Sequence, residues 1–249
     1  MRDVVIDGNS LTLDDAVALS LGMANGVVSD DSKRSMYASR LAIEQIIESD
    51  DVIYGINTGF GAMSSVRIEG NDLEELQTNL IKSHACGIGE LMQPEHVLLM
   101  MVFRANSLAK GVSGIRPEIV EMLVEMVNSG IAPVIPRIGS LGASGDLAPL
   151  SHMSLALLGE GECMIRTDGG WEKTSSLEAI SRADLKPVKL QAKEGLSLIN
   201  GTSQMCEYLG ITIQNIDRLL LGADASAPCQ FEAIKGSNEH FAAEIPPKQ

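Results

Sequence analysis

The stretch GSLGASGDLAPLSH, Gly139 to His152, sets a run of small residues directly before a helical run. Within it, Ala143, Ser144 and Gly145 are three neighbours able to react with one another. If the backbone bends sharply, the amide nitrogen of Gly145 reaches the carbonyl carbon of Ala143, and glycine has no side chain to obstruct the approach. Ring closure with loss of one water gives a five-membered imidazolone. Loss of a second water, from Ser144, leaves an exocyclic methylidene, a strong electrophile that no ordinary side chain supplies. Enforced proximity favours such a closure. Pro136 and Pro149 restrict the flanking backbone, and the start of the following helix directs positive partial charge at the ring. The alternative is a plain Gly/Ser turn capping the helix that begins at Leu147, with Asp146 as the capping acid. A nucleophile elbow is excluded: G-x-S-x-G needs a glycine where Asp146 stands. Neither a P-loop nor a dinucleotide-binding fingerprint occurs in the chain.

Outward from this stretch the pattern is mainly helical. Thr12, followed by Asp14 and Asp15, predicts an N-cap with an acidic first turn. Met36, Leu41, Ile43, Ile46 and Ile47 predict a helix over about 31–49. Residues 71–86 form a further helical run. Two more helices open with Pro94 and Pro117 and stop near Gly111 and Gly130. CMIRTDGGWEKT predicts the one clear hairpin, turning at Asp168-Gly169-Gly170. From Thr202 to about Lys235 there are few breakers, and such a helix would span roughly 50 Å. A helix that long belongs to a bundle and needs partner helices. The expected fold is therefore mainly α: a helical N-terminal domain over residues 1–200, then the first long helix of a central bundle over 201–249. The segment GSNEHFAAEIPPKQ after that helix leaves the bundle unfinished, so the chain is expected to assemble with others or to belong to a longer polypeptide.

Composition bounds the partners. The 249 residues suffice to bury a core. With 45% hydrophobic and 21% charged residues, the chain reads as soluble and globular. A net charge of −14 argues against nucleic acid and anionic membrane as partners. MRDVVIDGNSLTLDD has no apolar signal segment, and no run of about 18 apolar residues is present, which makes a cytoplasmic location the expectation. Cys86, Cys163, Cys206 and Cys229 show no metal-ligand spacing and are expected to be reduced and packed. No metal is expected. Aromatics are only 3% while Met reaches 12 residues, a composition suited to close helix packing.

Three stretches resemble, in order, the active-site segments of the ammonia-lyase family that builds a methylidene-imidazolone from Ala-Ser-Gly. They are YGINTGFG (Tyr54 to Gly61), GSLGASGDLAPLSH, and LINGT (Leu198 to Thr202). SHACGIGE (Ser83 to Glu90) resembles the corresponding segment of the family's histidine-specific members. The resemblance covers the whole chain but only the N-terminal half of a typical member.

The resemblance implies elimination of ammonia from an α-amino acid, L-histidine to urocanate in the first instance. The electrophile would be 4-methylidene-imidazol-5-one formed from Ala143-Ser144-Gly145. Aromatic amino acid ammonia-lyases and aminomutases of the same family are the alternative, since some carry a His at position 84. A non-catalytic half-length partner, or an inactive fragment, is the competing class. By resemblance Tyr54 is the base that removes the β-proton, a role open to a phenol only where positive charge or donors lower its pKa. Gly55, Gly59 and Gly61 suggest a mobile or tightly turned loop over a site, and Gly61 is a substrate-binding candidate. Asn200 would donate to the ring oxygen; its rival reading is a turn residue before the long helix, with Thr202 as the helix cap. His84 would contact the substrate side chain; its rival reading is a contact with a helix C-terminus. His96 and His152 read as packing or surface residues, and Arg104 and Asn106 carry no assigned chemistry. The resemblance also implies a homotetramer with sites built from several subunits. The substrate-carboxylate Arg and other residues of the C-terminal half are absent here, so a separate C-terminal subunit is a possible partner.

Overall fold

The longest buried helix explains why the core is hard to see as a stripe. Met100, Met101, Leu98, Leu99 and Ala105, on α4 (Pro94–Leu108), are all fully buried. A helix buried around most of its circumference needs little polar face. Pro94 opens it at the first helical position, and Pro117 opens α5 (Pro117–Asn128) the same way. Methionine supplies much of the filling, with Met36, Met126 and Met153 also fully buried.

The computed structural model describes residues 1–49, 52–59, 68, 70–237 and 239. The chain divides into two compact units, Met1–Glu207 and Tyr208–Gln249.

In the first unit, β1 (Arg2–Ile6) and β2 (Ala24–Val28) pair in parallel, Arg2 with Ala24 through Ile6 with Val28. α1 (Leu13–Ser20) links them, and its cap is as expected: Thr12 Oγ1 accepts from Asp15 N at 3.1 Å. The Asn128 side chain then stands in for a third strand, since Oδ1 accepts from Gly26 N at 2.7 Å and Nδ2 donates to Gly26 O at 3.0 Å. α2 (Asp30–Glu48) is capped by Ser29. α3 (Gly70–His84) ends two residues earlier than the sequence suggests, because Cys86 N turns back onto His84 O at 2.8 Å. β3 (Ile88–Leu91) pairs antiparallel with β5 (Pro136–Ile138). β4 (Ile131–Pro133), β6 (Glu162–Thr167) and β7 (Gly170–Ser175) form an antiparallel sheet in the order β4-β6-β7.

The hairpin at Asp168-Gly169 is thus the β6–β7 turn, with Thr167 opposite Gly170. The other short strands, β1 to β5, leave no mark in the sequence. These strands span three to five residues, too short to show an alternating pattern.

α6 (Leu147–Leu157), α7 (Ser176–Arg182) and the short α8 (Glu194–Ile199) complete the frame of the site. α8 is anchored by its buried Glu194, whose carboxylate accepts from Arg116 Nε and Nη2 at 2.7 and 2.8 Å and from Gln191 N at 2.7 Å. α9 (Ser203–Ala233) starts at the end of this unit.

The second unit's described part is mostly the remainder of α9, with Pro228 inside it. Leu209, Ile213, Ile216, Leu219 and Leu220 are exposed on it. Among the described residues no helix is long and apolar enough to cross a membrane, and no group of three His, Cys, Asp or Glu is placed to hold a metal. The thiols depart from expectation. Cys163 is buried, and burial pushes its pKa up to about 11, but Cys86, Cys206 and Cys229 are exposed.

Candidate active site

The loop between β5 and α6 presents the Ala143-Ser144-Gly145 tripeptide. Gly142 takes a left-handed conformation, φ +70°, and Ala143 and Ser144 form an exposed bend after it. Gly145 turns inward and is buried. A side chain there has no room: its Cβ would lie 2.7 Å from Gly201 N, 2.9 Å from Asn200 Oδ1 and 3.0 Å from Gly201 O. The tripeptide therefore meets the LINGT segment directly.

Asp146 locks this meeting. Its amide donates to Gly201 O at 2.7 Å. Its buried carboxylate accepts from Ser140 Oγ at 2.6 Å, from Gln204 N at 2.9 Å and from Met205 N at 3.0 Å. The sequence suggested that Asp146 caps its own helix. It stands at the α6 N-cap but makes no side-chain bond there. It caps the first turn of α9 instead, where unpaired N–H groups and positive partial charge favour a carboxylate. Thr202, the expected cap of α9, contributes its carbonyl to Cys206 N at 2.9 Å, while its hydroxyl lies 3.8 Å from Cys206 Sγ.

His84 closes the other side. It is the last residue of α3, and the β3–β5 pairing brings the segment after it alongside the loop. The close fit uses glycines, since a Cβ on Gly139 would stand 3.1 Å from Gly87 Cα and 3.0 Å from Ala148 Cβ. His84 Nδ1 lies 2.8 Å from Leu80 O. A carbonyl only accepts, so this contact places a proton on Nδ1 and leaves Nε2 as the ring nitrogen not engaged with Leu80. His84 bonds the C-terminal turn of its helix and lines a pocket of about 280 Å³ with Cys86, Leu141, Ala143, Ser144 and Gly145. Larger hollows of about 390 and 420 Å³ are walled by Glu74, Glu75 and Glu160 and by Glu118, Glu121 and Glu125, and neither includes a candidate residue.

Asn200 ends α8 and touches Gly145 as described. Tyr54 is exposed and is not among the pocket-lining residues. Its loop lies against α8, since a Cβ on Gly55 would come within 2.7 Å of Leu196 Cδ2. Gly61 lies outside the described residues. The structure brings His84 together with Ala143, Ser144 and Gly145 around one pocket and sets Asn200 against Gly145, while Tyr54 stands exposed in its own loop. His152, read as a packing residue, accepts from Gly87 N at 3.1 Å, and burial lowers its pKa. His96 Nδ1 lies 2.9 Å from Glu207 Oε1, and burial pushes the Glu207 carboxyl up to about 7.

Arg104 was passed over at the sequence level. It is buried on α4 and donates from Nη2 to Ser197 O and, at 3.2 Å, to Asn200 O. A Cβ on Gly201 would overlap its guanidinium. The signal was available: a charge inside VLLMMVFRANSL must either leave the apolar run or find partners within it.

The fold and the loop geometry define a helical protein whose Ala-Ser-Gly bend is held against an Asn-Gly pair. Residues 11–247 match the family profile described as aromatic amino acid lyase, and the chain belongs to that family. It is 44% identical over 242 residues to a histidine ammonia-lyase of Geobacillus thermodenitrificans, covering 97% of this chain and 47% of the relative. Among solved structures, the histidine ammonia-lyase of Trypanosoma cruzi is 36% identical, with a TM-score of 0.86 over 96% of this chain and 45% of that one. The tyrosine aminomutase of Streptomyces globisporus is 36% identical, with a TM-score of 0.89 over 97% of this chain and 45% of that one. The chain thus spans about half the length of the relatives it matches.

Proposed function

We propose that this chain is the electrophile-bearing half of an ammonia-lyase that converts L-histidine to urocanate and ammonia. The observation that carries the reading is the contact between Gly145 and Asn200-Gly201, which leaves no space for a side chain at the ring-closing nitrogen. The residues fit a 4-methylidene-imidazol-5-one formed in place: a left-handed glycine sets the bend, Ser144 is exposed, and the third position admits only glycine. Such a group supplies an electrophile that activates the amino acid toward loss of its amine.

The remaining roles fall to side chains. Asn200 provides an amide donor beside the tripeptide, where negative charge would develop. His84, with Nδ1 committed to Leu80 O, offers Nε2 as an acceptor for a substrate imidazole N–H. Tyr54 is the base that takes the β-proton once its loop and the rest of the assembly are in place. Gly61, in the same loop, contributes to substrate binding. Residues 1–200 serve as the domain of active-site loops, and residues 201–249 begin a helical bundle. Further copies of the chain, in a tetramer, and sequence equivalent to the relatives' other half complete the site, in the cytoplasm.

The test is the intact mass of the denatured, purified chain, followed by urocanate absorbance with L-histidine once the missing half is supplied. A chain lighter than its sequence by two waters and producing urocanate supports the reading. An unmodified mass removes the electrophile, and turnover of tyrosine in place of histidine redirects the substrate.

A further inference from the structure

Arg104 has no part in the chemistry proposed above, yet its surroundings are costly for a cation. Among the described residues no carboxylate pairs with it, its Nε has no hydrogen-bond partner, and its charge, after burial, helps lower the pKa of the nearby Lys193. Burial alone lowers its pKa to about 10. A desolvated charge persists only where bonded groups offset the loss of water. Here those groups are the carbonyls of Ser197 and Asn200, in the last turn of α8. Helix C-termini carry unpaired carbonyls and negative partial charge, so this turn takes the place of a counter-ion.

The same turn faces the tripeptide. A Cβ on Gly201 would enter the space the Arg104 guanidinium occupies, and Gly145 must be glycine because Asn200 and the Gly201 backbone occupy the space of its side chain. Arg104, the Asn200-Gly201 peptide and Gly145 are therefore packed one upon the next. The Asp146 N–H bond to Gly201 O closes the stack at 2.7 Å.

We propose that Arg104 is a positioning residue for the Ala143-Ser144-Gly145 site: its two-carbonyl grip on α8 holds Asn200 and Gly201 against Gly145. The proposal rests on the reading that this tripeptide condenses to the ring. A planar fork holds two carbonyls in one fixed arrangement, whereas a lysine ammonium is a point charge on a flexible stem. Arg104→Lys should therefore retain the charge but only part of the grip.

The full chain is compared as wild type, Arg104→Met, Arg104→Lys and, as a stability control, Leu123→Ala in the core of α5. Two quantities are measured: hydrogen exchange at the Asp146 amide, and the fraction of denatured chain lacking two waters. Arg104→Met is expected to speed Asp146 exchange at least tenfold relative to α5 amides and to lower the dehydrated fraction at least tenfold. Arg104→Lys should fall between it and wild type, and it carries the test if the Met variant does not fold. Leu123→Ala should lower the melting temperature while leaving both quantities near wild type. Unchanged exchange and dehydration in the Arg104 variants overturn the proposal, as does an equal loss in Leu123→Ala. A wild-type chain that keeps both waters refutes the ring reading. The exchange data then decide the positioning alone: faster exchange in Arg104→Met supports it and unchanged exchange overturns it.

Discussion

Gly145 and Asn200 compete for one space: the Asn200 Oδ1 atom lies 2.9 Å from where a Gly145 side chain would begin. The other near atoms, Gly201 N and Gly201 O, belong to the backbone and cannot swing aside. Gly145→Ala should therefore destabilise the chain by about 1–3 kcal/mol through overpacking. It should also stop the loss of two waters. Denaturant titration and intact mass check the two effects together, and a dehydrated, fully stable variant would contradict the packing argument.

Ser144 is exposed at the bend. Ser144→Ala should leave stability within about 0.5 kcal/mol of wild type. The purified variant should nevertheless keep the mass of its unmodified sequence. Dehydration that survives the substitution would exclude Ser144 as the source of the second water.

Asp146 binds the start of α9 and Ser140 through one buried carboxylate. Asp146→Ala leaves two N–H groups of that helix unpaired, at a cost of about 1–3 kcal/mol. Denaturant unfolding measures the loss. If the cap were the α6 turn alone, with no bond to α9, the loss should be smaller and the exchange of the Gln204 and Met205 amides unchanged.

Tyr54→Phe should leave the tripeptide's dehydration intact, since Tyr54 does not line that pocket. Within the completed assembly it should slow elimination by roughly 10²–10⁴-fold, the range for loss of a general base. An unimpaired rate assigns the base to another residue.

Glu207 gives a pH signature. Burial raises its carboxyl from 4.5 to about 7, with His96 at 2.9 Å and Arg137 the cation that opposes the rise. Between those two values the folded chain holds a proton that the unfolded chain releases, so stability falls as pH rises through this window. The expected fall is on the order of 2–3 kcal/mol, levelling off above about pH 7. Glu207→Gln should remove that slope. Unfolding free energies of both proteins from pH 4.5 to 8 check it, and parallel curves would show that folding leaves the Glu207 pKa unshifted.

Much of the frame is legible in local signals. Thr12, Pro94 and Pro117 start their helices where their chemistry says they should, and Asp168-Gly169 turns the β6–β7 hairpin. Three motifs mark Tyr54, the tripeptide and Asn200 as candidates, and the pocket joins His84 to the tripeptide. Arg104 stayed hidden because a charge in an apolar helix announces a need for partners without naming them.

The sequence by itself marked most of the longer helices, the β6–β7 hairpin and Ala143-Ser144-Gly145 as the candidate tripeptide. These depend on residues within a few positions of one another, where capping, ring strain and period act. Only the tertiary structure decided which groups the tripeptide meets. Asp146 was a plausible cap for the helix beside it, yet it caps Gln204, 58 residues further on. A carboxylate is drawn to whichever unpaired N–H groups packing brings within reach, and that choice belongs to the whole fold. The same holds for Gly145, Gly201 and Arg104: each glycine lies against atoms distant in sequence, and the charge is stabilised by carbonyls that only the folded chain places beside it.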